Sequence, residues 1–120
     1  MMQRKILVVD DDFGFLEVLS SILKRNSQVF MATGIAEAKQ VLMSEDVDAV
    51  CSDFNMRDGT GLELLEWLRK KEDTTPFLLL SCTEDTILIN AVSSYGATFC
   101  SKTDCNLIER IKTLTNSKPM

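Results

Sequence analysis

Aspartates end two apolar runs that lie far apart in the chain. Asp10, Asp11 and Asp12 follow Ile6–Val9, and Asp53 follows a second apolar run. Carboxylates that are packed together repel one another, so a place where these residues meet needs a compensating cation. Oxygen ligands in a chain without histidine suit a hard ion, Mg²⁺ before Ca²⁺. We therefore expect a Mg²⁺ site if the fold brings these two chain segments together.

A hydroxyl and an ammonium follow two further strand-like segments. Ser81 comes directly after Phe77–Leu80, and Lys102 comes directly after Thr98–Ser101. Beside a metal-bound carboxylate, these two groups would stabilise the oxygens of a phosphoryl group during its transfer. Asp53 is then the expected nucleophile, and its product would be an acyl phosphate.

Strand-like and helix-like segments alternate along the chain. The predicted strands are Ile6–Val9, Gln28–Ala32, Asp48–Ser52, Phe77–Leu80 and Thr98–Ser101. The predicted helices run from Phe13 to Lys24, from Ala36 to Met43, from about Gly61 to about Lys71, from Thr83–Asp85 to Gly96, and over Leu107–Leu114. This alternation predicts an α/β fold, flavodoxin-like and doubly wound, with a five-stranded parallel sheet of order 2-1-3-4-5. In that order the ligand site lies where strands one and three end, which brings the aspartates to one edge.

Length and composition are typical of a single soluble domain. The 120 residues are 45% hydrophobic and 26% charged, so we expect one domain over 1–120, with an ordered core at about 4–115 and a tail or linker stub at 116–120. The net charge of −5 disfavours direct nucleic-acid binding. No apolar run approaches the roughly 20 residues that span a bilayer, and the N-terminus does not resemble a signal peptide. We expect a cytoplasmic protein that does not bind membranes.

The cysteines do not have the spacing of a zinc site. The chain has four of them, without a Cys-x-x-Cys pair. We expect reduced and mostly buried thiols, with Cys51 and Cys82 as small core residues beside the site.

Taken together, the motifs resemble the response-regulator receiver domains of two-component signalling, the CheY-like superfamily. The resemblance rests on Lys5–Asp12, Asp48–Met56, Gly59–Leu65, Pro76–Ser81 and Gly96–Lys102, so it covers nearly the whole chain. Each motif alone is weak. Their order, with each key residue at the end of the expected strand, makes the resemblance specific.

The resemblance implies a role for each residue around the metal. Asp53 would be the phosphoacceptor and a metal ligand, and it would receive its phosphoryl group from a kinase histidine. Asp11 would bind Mg²⁺ directly, Asp10 mainly through water, and Asn55 through its backbone carbonyl. The protein would be a signalling phosphoacceptor that assists its own chemistry, rather than an enzyme.

The resemblance also implies a switch. Ser81 and Lys102 would contact the phosphoryl oxygens, and movement of Ser81 would be coupled to Phe99. The change would reach a partner surface through the last two helices and strands. The implied partners are a sensor histidine kinase or a phosphotransfer protein, then a downstream protein or output domain. A homodimer formed on phosphorylation is compatible with this family.

Three features depart from the usual family pattern. Arg57 and Thr103 occupy positions where the family usually has proline, and the segment Gly96–Phe99 is one residue shorter than the commonest spacing. A cis peptide bond before a residue other than proline costs about 3–4 kcal/mol, so we expect a trans bond at Thr103. These departures lie near the predicted output face and put the usual switching geometry in doubt.

Two other functions fit parts of the sequence. The segment Val8–Asp12 is also compatible with a haloacid-dehalogenase-like phosphatase, in which Asp10 would be the nucleophile and Asp12 the acid and base. Alternatively, the chain could be a receiver-like interaction module that needs no phosphate. Asp12 itself is as compatible with an N-cap of the first helix as with a place beside the metal.

Overall fold

The structure, a computed structural model, describes residues 3–117. The strands are β1 (Arg4–Val9), β2 (Ser27–Ala32), β3 (Ala49–Asp53), β4 (Asn55–Met56), β5 (Gly59–Thr60), β6 (Phe77–Ser81) and β7 (Thr98–Ser101). The helices are α1 (Phe13–Leu23), α2 (Ile35–Ser44), α3 (Gly61–Lys70), α4 (Thr86–Ser94) and α5 (Leu107–Thr115). The expected domain limits at 1–120 stay a prediction, since 118–120, the end of the predicted tail, lies outside the described residues.

The main sheet has five parallel strands in the order β2-β1-β3-β6-β7. This is the predicted order 2-1-3-4-5, because β4 and β5 form a separate antiparallel hairpin that the sequence did not predict. The doubly wound α/β fold is therefore confirmed. The strand order reverses at β1 and β3, and this places the carboxyl ends of these two strands side by side.

The sheet is buried on both faces, which explains its continuous apolar strands. Leu7 and Val9 of β1 face a core cluster with residues of α2, α3 and α4. Ile6 and Val8 face the opposite cluster with residues of α1 and α5. Since successive side chains of a strand point to opposite faces, each strand anchors helices on both sides.

Helix α4 begins later than predicted. The Thr83–Asp85 segment was expected to start it, but the first helical residue is Thr86. The Asp85 carboxylate accepts the backbone N–H of Ile87 at 2.9 Å and so caps the helix. Thr83 instead remains in the loop after β6, where its N–H donates to Ser81 Oγ.

Arg69 joins the ends of two helices and the loop before β6. Its Nε donates to the carbonyl of Tyr95 at 2.7 Å. Its Nη1 donates to the carbonyls of Asp73 at 2.8 Å and Thr75 at 3.0 Å. Burial lowers the pKa of this guanidinium, but arginine remains charged in proteins. The three hydrogen bonds that Arg69 donates hold these segments together at the end of the sheet opposite the aspartates.

Candidate functional site

Three aspartates meet at the carboxyl ends of β1 and β3. The carboxylates of Asp10, Asp11 and Asp53 each offer an oxygen, and these atoms lie within 4.8 Å of one another. Asp10 is buried, and its Oδ1 accepts the N–H of Asp12 at 2.9 Å. The Asp12 carboxylate accepts the N–H of Phe15 at 3.2 Å instead, so Asp12 is the N-cap of α1 and lies outside the cluster.

Lys102 lies against this cluster. Its Nζ is 2.8 Å from Asp10 Oδ2 and 3.7 Å from Asp53 Oδ1. Burial would lower the pKa of Lys102, but the hydrogen bond that Lys102 donates to Asp10 and the attraction of Asp10 and Asp53 outweigh it, so the pKa is raised. The ammonium also lies over the ring of Phe15, 4.4 Å from its centroid. Lys102 therefore stays charged at neutral pH and offsets part of the negative charge.

Asp53 lies in a cluster of carboxylates whose negative charge exceeds the positive charge of Lys102. Burial and the repulsion of Asp10 raise the pKa of Asp53 to about 6, although Lys102 and the N–H of Phe54 act in the opposite direction. The donor set is made of carboxylate oxygens and the local charge is not balanced. A hard divalent cation fits both features, and Mg²⁺ commonly takes one or two carboxylates in such sites.

Ser81 is the last residue of β6, and it is buried. Its neighbour Leu80 pairs with Asp53 across the sheet, which places the end of β6 beside the acceptor strand. The Ser81 Oγ accepts the N–H of Thr83 at 3.2 Å and lies 3.4 Å from Thr83 Oγ1. The hydroxyl thus stands at the predicted edge and is tied to the loop that follows.

The loop after β7 is held by hydrogen bonds of Thr103, the residue at the position where the family usually has proline. The Ser101 Oγ accepts the N–H of Thr103 at 3.3 Å and lies 3.0 Å from Thr103 Oγ1. A proline at 103 could not donate this hydrogen bond. No peptide bond is cis among residues 3–117, so the predicted trans bond at Thr103 is confirmed.

The remaining predicted site residues lie in two separate places. Asn55 is exposed and begins the β4–β5 hairpin, in which it pairs with Thr60. Arg57 is exposed in the turn of the same hairpin. Phe99 is half-buried in β7 and packs against the core cluster under α2, α3 and α4.

Asp58 makes a structural contact near the site that the sequence analysis missed. From the β4–β5 turn, its carboxylate accepts the N–H of Ile35 at 2.8 Å and that of Ala36 at 3.0 Å. The N-cap of α2 is Gly34, which has no side chain to do this. The two backbone hydrogen bonds lower the pKa of Asp58. The loop that follows the acceptor is therefore fastened to the first turn of α2.

Gly61 lets α3 begin close to the acceptor. A Cβ atom at this position would lie 2.4 Å from the carbonyl oxygen of Asp53 and 2.6 Å from Leu79 Cδ1. The Gly61 N–H donates to the carbonyl of Phe54 at 2.7 Å. Thr60 is the N-cap of α3, and its Oγ1 accepts the N–H of Glu63 at 3.2 Å.

Two of the cysteine predictions are wrong: Cys82 is not a core residue, and the thiols are not mostly buried. Cys51 is buried as expected, but Cys82 is exposed. The reason is that β6 ends at Ser81, so the next residue belongs to the loop and does not enter the core. Cys105 is exposed as well, and therefore two of the four thiols are buried.

No helix within residues 3–117 is both long and apolar enough to cross a membrane.

The family comparison agrees with the geometry. The model of the response regulator receiver domain matches residues 6–112. The chain belongs to this family, whose members are the receiver domains of two-component response regulators. The haloacid-dehalogenase-like alternative has no support from this match.

Individual relatives show the same relationship. The response regulator protein PilR of Pseudomonas aeruginosa is 29% identical over 82 residues, which are 68% of this chain and 18% of PilR. Sporulation initiation phosphotransferase F of Bacillus subtilis is 26% identical over 98 residues, 81% of this chain and 79% of that protein. The non-phosphorylated receiver domain of HemR from Leptospira biflexa is 28% identical, with a TM-score of 0.90 over 98% of this chain and 99% of that one. The chain spans less than half the length of several relatives, such as PilR.

Proposed function

We propose that Asp53 accepts a phosphoryl group from a phosphohistidine of a sensor histidine kinase or of a phosphotransfer protein, with Mg²⁺ as cofactor. The observation that carries this proposal is the convergence of three carboxylates within 4.8 Å, next to the Lys102 ammonium. Such a site has a nucleophile, a place for a cation and a fixed positive charge. These are the requirements of phosphoryl transfer.

The chemistry is a displacement at phosphorus. An oxygen of Asp53 would attack while the phosphorus–nitrogen bond of the donor breaks, and the imidazole would keep the electron pair and take up a proton. Asp11, Asp53 and the Asn55 carbonyl would hold Mg²⁺ directly, Asp10 would hold it mainly through water, and the ion would supply charge neutralisation. Lys102, already 3.7 Å from Asp53 Oδ1, would bind a phosphoryl oxygen.

The switch would begin at Ser81. To donate a hydrogen bond to a phosphoryl oxygen, its hydroxyl would turn towards Asp53 and loosen its contact with Thr83, which now lies 3.4 Å away. Since Phe99 lies on the neighbouring strand, it could occupy space that Ser81 leaves. Through these residues the state of Asp53 would reach a surface for a downstream protein or output domain. We place these events in the cytoplasm.

The phosphoryl form should be long-lived. Asn55 begins β4 and Thr83 lies in the loop after β6, at positions where the family tunes hydrolysis of the acyl phosphate. Neither is a carboxylate that could orient an attacking water. Loss of the label within seconds at neutral pH would contradict this expectation.

The proposal is tested by measuring intact mass after treatment with acetyl phosphate and Mg²⁺. We expect one added HPO₃ unit on the native protein and none on Asp53→Asn. Asp58→Asn is the matched control, because Asp58 is a nearby carboxylate that caps α2, and it should accept the label. Omission of Mg²⁺ should abolish the label.

Two results would refute the proposal. A label that persists in Asp53→Asn but disappears in Asp10→Asn would favour the phosphatase alternative. A native protein that takes no label under any condition, while it remains folded, would favour the phosphate-independent interaction module.

A further inference from the structure

The Lys102 ammonium contacts an aromatic ring as well as two carboxylates. Its Nζ lies 4.4 Å from the centroid of the Phe15 ring, 2.8 Å from Asp10 Oδ2 and 3.7 Å from Asp53 Oδ1. An ammonium within about 6 Å of a ring face is attracted by the negative charge of that face. The Lys102 side chain is 14% exposed, so water weakens this attraction little.

Phe15 is held in place from two sides. Its backbone N–H donates to the Asp12 carboxylate at 3.2 Å, and its half-buried ring packs against the core cluster under α1 and α5. Phe13, two residues earlier in the same helix, is 59% exposed. The two phenylalanines therefore have different surroundings, and only Phe15 contacts Lys102 among the ring contacts of residues 3–117.

A cation bound at the aspartates would compete with Lys102. The buried oxygen Asp10 Oδ2 now has the ammonium as its neighbour at 2.8 Å. Binding of a dication to the same carboxylate requires the ammonium to give up part of this contact, since like charges repel. The contact with Phe15 involves no carboxylate, so it can persist when Asp10 turns to the cation.

We propose that Phe15 is a positioning residue for Lys102. Its ring keeps the ammonium beside Asp53 while Asp10 is freed for the cation, and this promotes both cation binding and phosphoryl transfer. The inference rests on the proposed role of Asp53 as phosphoacceptor. A ring that only fills the core would affect stability but would not act through Lys102.

The first test measures the affinity for Mg²⁺ by calorimetry on the unphosphorylated protein. Phe15→Leu keeps the apolar bulk and removes the ring, whereas Phe15→Tyr keeps the ring face. A cation–π contact in a partly desolvated site corresponds to about a 3- to 10-fold change in an equilibrium constant. We expect the Kd for Mg²⁺ to rise by about this factor in Phe15→Leu and to stay unchanged in Phe15→Tyr. Phe13→Leu is the matched control and should also leave the Kd unchanged.

The second test asks whether Phe15 acts through Lys102. In a Lys102→Met background, the further change Phe15→Leu should leave the Kd for Mg²⁺ unaltered, because no ammonium remains to be positioned. A proton NMR measurement on the metal-free protein checks the geometry directly. The ε-methylene protons of Lys102 should be shifted upfield by the ring in the native protein, and this shift should disappear in Phe15→Leu.

The third test is the rate of labelling by acetyl phosphate, which should fall by about 3- to 10-fold in Phe15→Leu and recover in Phe15→Tyr. The inference is wrong if Phe15→Leu weakens Mg²⁺ binding equally with and without Lys102. It is also wrong if the native Lys102 protons show no upfield shift, a result that needs no variant to fold. Absence of labelling in the native protein would refute the proposed function instead, and it would leave the Mg²⁺ comparison intact.

Discussion

Gly61 gives the sharpest test of how the acceptor strand and α3 fit together. Replacement by alanine would add a Cβ 2.4 Å from the Asp53 carbonyl oxygen, 2.6 Å from Leu79 Cδ1 and 3.0 Å from Ser52 Oγ. The leucine methyl group can move, but the carbonyl belongs to a buried strand. Relief of this overlap therefore requires a shift of α3 or of the acceptor backbone.

Two terms of opposite sign decide the stability of Gly61→Ala. Alanine has the higher helix propensity, which favours the variant by up to about 1 kcal/mol. Overpacking against backbone costs about 3 kcal/mol. The expected net loss is about 2 kcal/mol, which corresponds to a fall in Tm of roughly 6–10 °C for a domain of this size. Urea unfolding at constant m-value gives the free energy of unfolding, and circular dichroism gives Tm.

Gly14→Ala is the matched control. Gly14 is also in the first turn of its helix, α1, and the nearest atom to an added Cβ is Asp12 Oδ1 at an ordinary 3.5 Å. Without a clash, the helix propensity should dominate and stabilise this variant by about 0.5–1 kcal/mol. The reasoning is refuted if Gly61→Ala is as stable as the native protein, or if both variants lose equal stability.

Three further predictions concern other contacts of the fold and the site. Asp58→Ala removes the cap of α2 and should cost about 1 kcal/mol at pH 7. The pKa of Asp58 is lowered in the folded protein, so this contribution to stability is present above the unfolded pKa near 4 and is lost as pH falls through the folded pKa. Urea unfolding should therefore distinguish Asp58→Ala from the native protein at pH 7 but not at pH 3. Asp53→Asn should stabilise the metal-free protein by on the order of 2 kcal/mol at pH 7, because the pKa of Asp53 is raised to about 6 in the folded protein and the native protein loses stability as pH rises from about 4 to about 6. The increase in Tm of the variant over the native protein should therefore shrink towards pH 4, and an increase that does not shrink would contradict this cause. Arg69→Lys cannot replace all three hydrogen bonds of the guanidinium and should lower the free energy of unfolding by about 1–2 kcal/mol, whereas an unchanged urea midpoint would show that these carbonyls are satisfied by water.

The sequence predicts the sheet and the acidic cluster because both follow from local patterns. Continuous apolar runs mark buried parallel strands such as β1 and β6, and β7 also has the predicted limits, Thr98–Ser101. The positions of Asp10 and Asp53 directly after two such runs then follow from the strand order. The strand order alone therefore predicts that Asp10 and Asp53, which are more than forty residues apart in the chain, lie close together.

The features that the sequence does not predict depend on contacts between distant segments. The Asp58 cap joins residues 23 positions apart, and no short motif marks it. The start of α4 depends on which of several polar residues accepts the first free N–H, and Asp85 does so. The exposure of Cys82 follows from its place in the loop directly after β6, which ends at Ser81.

The fastening of the β4–β5 hairpin to α2 has a consequence for hydrogen exchange. The amides of Ile35 and Ala36 are in the first turn of a helix, where no preceding carbonyl is available to them, and they are bonded to Asp58 instead. Their exchange with deuterium therefore requires the hairpin to lift rather than the helix to unwind. These two amides would report, on the scale of seconds to hours, how often the loop next to the acceptor opens.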